Sequence, residues 1–332
     1  MTLPQGEVEV ELADALQPPE GTAAIEGRSL GQIAWRRLRS DRAAMTGGVI
    51  AIVFILVAIL APVLAKLLGA TPTTQYQELV SPDTSLPYGA FGNASGAHLL
   101  GVTPVNGYDI MVQLIYGART SLIVGFAATF MSVLFGVVFG LLAGFYRGWA
   151  DTVISWVMDV LLSFPTLLFS LALLAIFNQV DSFLGLSGTP LRFAIIVFVL
   201  GFFAWPYIGR IVRGQVLSLR EKEFVDAARS LGASDFRILT REILPNLVGP
   251  ILVYASLTIP NNILGEAGLS YLGVGFQPPT VSWGQMLSDA GNWFQVDPSY
   301  LFSPGVTIFV AVLAFNLFGD GLRDALDPKS SR

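Results

Sequence analysis

Glu223-Phe-Val-Asp-Ala-Ala-Arg-Ser-Leu-Gly232, followed by Ile243-Leu-Pro-Asn246, is a charged island in a very apolar chain. Of the 332 residues, 53% are hydrophobic and only 13% charged, whereas a soluble domain carries about a quarter charged residues. The mean hydropathy is +0.63. Stretches long enough to cross a bilayer, for which about 20 apolar residues suffice, lie on both sides of the island. Six such stretches occur, at 47–68, 121–146, 153–177, 193–212, 247–264 and 300–318. They predict an all-α membrane protein with six transmembrane helices.

That count divides the chain. Residues 1–28 form an acidic tail, 29–46 a basic segment, 47–68 the first span and 69–118 an external loop. Residues 119–325 hold the other five spans and a connecting loop at 213–245, and 326–332 form a C-terminal tail. Pro165, Pro206, Pro250 and Pro260 fall inside or at the ends of spans. Prolines are tolerated there when neighbouring helices or water satisfy the freed carbonyls. Kinked helices suit a bundle that surrounds something, although ordinary packing kinks account for each proline equally well.

The basic residues orient the chain. With the N-terminus in the cytosol, 16 of the 19 Lys and Arg fall inside, and only Lys66, Arg119 and Arg192 fall outside. This satisfies the positive-inside rule and places both termini and loop 213–245 in the cytosol. The first apolar run starts too late, and is followed by too many others, to be a signal peptide. Glu7, Glu9, Glu11, Asp14, Glu20 and Glu26 make the tail acidic, with Pro18-Pro19 among them. It has too little apolar surface to fold alone and reads as disordered. In the segment that follows, Leu30, Ile33, Ala34, Trp35 and Leu38 alternate with arginines after a Ser29 cap. This pattern suits a helix lying in the inner headgroup layer with Trp35 at the interface; simple positive flanking of the first span is the plainer alternative.

Several chemistries are excluded. The chain has no Cys and one His, His98, which leaves no disulfide and no Cys/His zinc site. His98 reads as a surface residue of a polar loop. The three lysines, Lys66, Lys222 and Lys329, never follow a Gly, so no phosphate-cradling loop is present. The chain carries no ATPase site of that type, no catalytic residues are assigned, and no cofactor or metal is expected.

Within the island, residues 221–231 are helix formers and Gly232 suits a left-handed C-terminal position. Ser234 caps a second helix with Asp235 in its first turn, and Pro245 should end it near Leu244. Phe224 and Leu231, seven residues apart, share one face. Beside the small Ala227 and Ala228, on the helix that also carries Glu223 and Asp226, they form an apolar knuckle suited to a partner's groove, with Arg220, Lys222, Arg229, Arg237 and Arg241 offering salt bridges at the rim. Packing against the protein's own membrane-facing surface would use the same residues. Two carboxylates fall inside spans: Asp159, two turns into the third, and Glu266, at the outer end of the fifth. Either would touch a translocation path or hold helices together by hydrogen bonds. Gly268, Gly273 and Gly275 permit a broken outer segment that would act as a gate.

Asp226-Ala227-Ala228-x-x-x-Gly232, with Ile243-Leu-Pro245 at the matching distance, resembles the coupling motif of permeases from binding-protein-dependent ABC importers. Leu264 through Pro279, Ser282-Trp-Gly284, Tyr116 through Leu122 and Asn316 through Pro328 narrow the likeness to the dipeptide/oligopeptide/nickel permease family, and the N-terminal Arg-rich helix with the first span resembles the second of its two permease types. The likeness covers about 30–328. Asp226 stands where the motif usually has Glu. The loop His98-Leu-Leu-Gly-Val-Thr-Pro-Val-Asn-Gly-Tyr-Asp109 is one residue longer than the family pattern and lacks its Arg.

The resemblance implies a type I ABC importer permease bundle with an N-terminal interfacial helix and a cytosolic coupling hairpin. It implies a homologous permease, two ATP-binding subunits or domains, an extracytoplasmic substrate-binding protein and the lipid bilayer as partners, and no nucleic acid. The substrate it implies is a short peptide, with nickel chelates or another small solute as the alternative. A secondary transporter would show inverted repeats, and a channel would need no coupling hairpin.

Overall fold

The computed structural model describes residues 30–177, 179–180 and 182–327. The acidic tail, the Ser29 cap and the segment beyond Asp327 lie outside the described residues. Helix α1 spans Leu30–Ser40 and ends because Asp41 leaves the helical region (φ −84°, ψ 108°). Asp41 instead caps α2, Arg42–Leu67, its carboxylate accepting from the N–H groups of Ala43 (2.8 Å) and Ala44 (3.1 Å). The first span therefore starts at Arg42, not at 47. Its buried face repeats every seven residues as Ala44, Ala51, Ala58 and Ala65, with Gly47 and Gly48 beside it. A Cβ on Gly47 would lie 2.6 Å from the Ala314 carbonyl. Small residues thus bring two backbones into contact where lipid supplies no hydrophobic drive for helix association.

Helix α3, Ile110–Tyr146, is capped by Asp109, which accepts from Val112 N–H at 3.0 Å. Its first nine residues fall within the loop expected at 69–118. The loop that remains is folded: His98 is not a surface residue, because its side chain is 12% exposed. Its Nδ1 lies 2.7 Å from the Asp109 carboxylate, and its ring packs edge-on to Tyr76.

The third span is broken. α4, Gly148–Ser163, and α5, Thr166–Phe177, meet at 82°. The cause is local: Pro165 disfavours helix at the residue before it, and Phe164 takes up φ −75°, ψ 135°. A two-stranded turn, β1 Ser182–Phe183 with β2 Leu186–Ser187, leads into α6, Gly188–Leu219. This helix runs well past 212, so the connecting loop begins at Arg220 and not at 213.

α7 spans Glu223–Ser230, and α8, Asp235–Arg237, passes through a π-helical stretch at Ile238–Ile243 into α9, Leu244–Tyr271. α10, Trp283–Ala290, and α11, Pro298–Leu326, complete the chain. Among the described residues, five helices are long and apolar enough to cross a membrane, and the bent pair makes six. The chain is a multi-pass membrane protein.

The most extensive helix pair is α3 with α6. Gly136, Gly140 and Gly144 line one ridge of α3, and a Cβ on any of them would come within 2.8 Å of α6 at Ile208, Gly209–Val212 or Val216. α2 packs on α11, and α9 packs against both α3 and α11. Ala65 packs with Val112 at the start of α3, while Phe145 at its end packs with Val225 and Ile238. The loop beyond α6 therefore sits at one end of the bundle. α1 and the end of α11 meet at that same end, where Arg37 Nη1 donates to the Asp327 carbonyl at 2.9 Å.

Candidate functional site

The α7–α8 hairpin projects from the bundle on an apolar base. Val225, Ile238 and Ile243 are fully buried against Phe145, Val212, Val216 and Leu247. Each such burial is worth about 1.5–3 kcal/mol. The opposite face is open: Phe224 is 39% exposed, Leu231 88% and Phe236 75%. Phe224 and Leu231, which the sequence paired, are therefore not packed on the protein's own surface; Val225 takes that place. Phe236 and the anchor Val225 escaped the sequence reading: Val225 lies on a different face from Phe224, and Phe236 sits on a separate helix beyond the Gly232 bend.

Gly232 makes the bend. With φ +79° it follows Leu231, which caps α7; its N–H donates to the Arg229 carbonyl (3.0 Å), and that of Ala233 donates to the Ala228 carbonyl (3.0 Å). This is the two-bond termination that a left-handed residue allows. Glu223, Asp226, Ala227 and Arg229 are exposed around it, Arg229 lying 3.3 Å from Asp226, while Ala228 is half-buried. Glu221 is not in the helix but precedes it, 2.6 Å from Arg147.

The second arm does not stop at Pro245. Leu244 N–H reaches back five residues to the Leu239 carbonyl, and this widened turn makes room for a ring that has no N–H to offer. The hairpin's second arm and the fifth span are one rod, Asp235–Tyr271.

A ladder of ion pairs joins α4 to α6 above the hairpin. Arg213 grips Asp151 with two bonds, 2.5 and 2.8 Å. One step further in, Arg210 pairs with Asp159. Asp159 therefore has a charged partner, not the backbone or serine hydroxyl expected of an interhelical bond. Arg210 and Arg213 lie within α6, and Arg210 is about 14 Å along the helix from Leu219 at ~1.5 Å per residue. The Arg210 and Asp159 side chains are 51% and 63% exposed.

Glu266 sits at the other end of α9 with no exposed surface. Its two oxygens accept from the hydroxyls of Ser121 on α3 and Ser270, both at 2.7 Å. Those hydroxyls accept in turn from Trp283 N–H (3.2 Å) and Phe276 N–H (3.1 Å). One carboxylate thereby ties α3, α9 and the start of α10 together. Gly273 (φ +81°) ends α9 with the same two-bond pattern as Gly232, and Gly268 faces open space. Gly275 tolerates no Cβ, which would lie 2.3 Å from Ser270 Oγ. Among the described residues, no three His, Asp or Glu gather as a metal site.

Residues 136–332 match the family described as binding-protein-dependent transport system inner membrane component, and residues 29–87 match the N-terminal TM domain of oligopeptide transport permease C. The dipeptide transport system permease protein DppC of Alkalihalophilus pseudofirmus is 40% identical over 296 residues, 89% of each chain. The oligopeptide transport system permease protein OppC of Escherichia coli is 39% identical over 306 residues, 92% of this chain and 93% of its own. The glutathione transport system permease protein GsiD of Pectobacterium atrosepticum is 38% identical over 296 residues, 89% and 90%. In fold, the chain resembles a structure of the MetNI methionine ABC transporter in inward-facing conformations, with a TM-score of 0.53 and 20% identity over 66% of this chain and 98% of that one. The chain belongs to the binding-protein-dependent transport system inner membrane component family, the permeases of ABC importers.

Proposed function

We propose that this chain is one of two homologous permease subunits in an ATP-driven importer of short peptides. The relatives' names support the substrate class, since dipeptide, oligopeptide and glutathione permeases all resemble it at about two-fifths identity. The basic residues favour a cytosolic hairpin end, with both termini on that side. Two ATPase subunits or domains engage the hairpins, and a substrate-binding protein docks on the opposite end. ATP binds to those partners, and this subunit catalyses nothing itself.

The observation that carries the reading is the hairpin: Phe224, Leu231 and Phe236 stand exposed on a buried base that is continuous with a span. Glu223, Asp226, Ala227, Ala228, Arg229 and Gly232 complete the coupling surface. Asp159 with Arg210 faces the path, because a half-exposed ion pair this deep is too costly to turn towards lipid. Glu266 clasps the outer gate shut, with Gly268 and Gly273 in the segment it holds.

The chain lacks cysteine, so Leu231→Cys is a single-site probe. In the assembled complex it should cross-link to a nucleotide-binding subunit, with a yield that changes when ATP is added. A complex that imports peptide with no such subunit present would overturn the reading.

A further inference from the structure

The loops opposite the hairpin carry carboxylates and no Lys or Arg. Residues 69–109 contain Glu78, Asp83 and Asp109, and residues 273–299 contain Asp289 and Asp297. Asp109 is occupied by His98 and Val112. Asp297 is 7% exposed, and while its Oδ1 accepts from the Ser299 hydroxyl, its Oδ2 is buried with no hydrogen bond. An unpaired carboxylate oxygen inside a protein is a standing cost.

Asp289 is less enclosed: the residue is exposed, with part of its carboxyl desolvated against the cavity wall. It lies in the last turn of α10, where the helix dipole disfavours negative charge. Burial pushes its carboxyl above the usual carboxylate range, against the Gln285 amide at 2.5 Å, which holds it down. Two cavities of about 230 and 60 Å³ open beside it, and Asn106, Tyr108 and Asp289 line both. Trp293 and the exposed Asn292 complete the larger one. A carboxylate beside two aromatic rings is the chemistry that holds an ammonium or guanidinium group.

We propose that the Asp289–Tyr108–Trp293 cavity is a socket for a Lys or Arg side chain of the docking substrate-binding protein. This rests on the importer function proposed above. The occupant follows from charge: the two loops hold carboxylates and no Lys or Arg, with Lys66, Arg119 and Arg192 confined to helices, so the exposed Asp289 at the cavity complements a basic side chain. Asn106 and Tyr108 lie in the His98–Asp109 stretch that departs from the family pattern, so the socket is also where this permease distinguishes its own binding protein from others.

The test uses the assembled transporter and the binding protein encoded with it, with Kd measured at about 50 and 200 mM NaCl. The wild type should bind with an affinity that falls with salt, as exposed charge pairing does. Asp289→Asn should weaken binding about tenfold and flatten the salt dependence. Asn106→Lys, at an exposed position, should weaken it comparably by placing a competing cation at the mouth, and it keeps the test open if Asp289→Asn folds poorly. Equal Kd for all three proteins would overturn the socket while leaving the importer reading intact. Absence of binding to the wild type would instead remove the importer reading. An unchanged Kd with a raised KM for peptide uptake in Asp289→Asn would give the socket to the peptide's amino group and overturn the docking assignment.

Discussion

At the residue scale, two glycines and one glutamate set the ends of the same rod. Gly232 and Gly273 both hold positive φ with no neighbour within reach of a Cβ, so substitution there acts through backbone strain alone. Gly232→Val should cost about 1–3 kcal/mol locally and misplace Leu231 and Phe236. Peptide uptake should fall sharply while membrane content and ATP hydrolysis persist; an unchanged uptake rate would refute a coupling role. Gly232→Asn, which tolerates the left-handed region, should retain most of the activity. Glu266→Ala strips two hydroxyls of their acceptor at about 1–3 kcal/mol per unsatisfied group, and should lower the melting temperature in detergent. The Gly232 bend was legible in the sequence because its chemistry is local. The partners of Glu266 were not, because Ser121 is 145 residues away and no spacing rule connects them.

At the element scale, the helices were legible as apolar runs but their ends were not. Composition locates a span, whereas Asp41, Asp109 and the Phe164-Pro165 break locate its limits, and each acts through backbone geometry rather than hydropathy. Pro245 was read as a stop because proline ends an α-helix, and a single widened turn removes that constraint. The Gly136, Gly140, Gly144 ridge was present in the sequence at four-residue intervals and marks the α3–α6 contact. Gly140→Leu should force that pair apart, since its Cβ alone would meet Gly209 O and Val212 at 2.7 Å. The expected loss is at least about 1–3 kcal/mol, read as a lower unfolding temperature, whereas Gly249→Leu, which meets nothing within 4 Å, should leave it nearly unchanged.

At the scale of the whole molecule, sidedness and the path are the open measurements. With no native cysteine, Ser234→Cys and Asp83→Cys should label with an impermeant thiol reagent from opposite sides of sealed vesicles. Labelling from the same side would contradict the six-span topology. Exchanging the deep pair as Asp159→Arg with Arg210→Asp should restore uptake that either single change lowers several-fold. Failure of the exchange, with both single variants silent, would take the pair off the path.

The unbroken run from Asp235 to Tyr271 has a thermodynamic consequence. One helical body carries the knuckle at one end and the Glu266 clasp at the other, so two distant binding events bias a single element. Linkage is then symmetric. Whatever factor nucleotide-driven engagement of the hairpin contributes to affinity at the far end, a ligand seated at the far end must return the same factor to nucleotide affinity. In the assembly proposed above, a loaded binding protein would thus act as an allosteric effector of the ATPases through a body it never touches at their end.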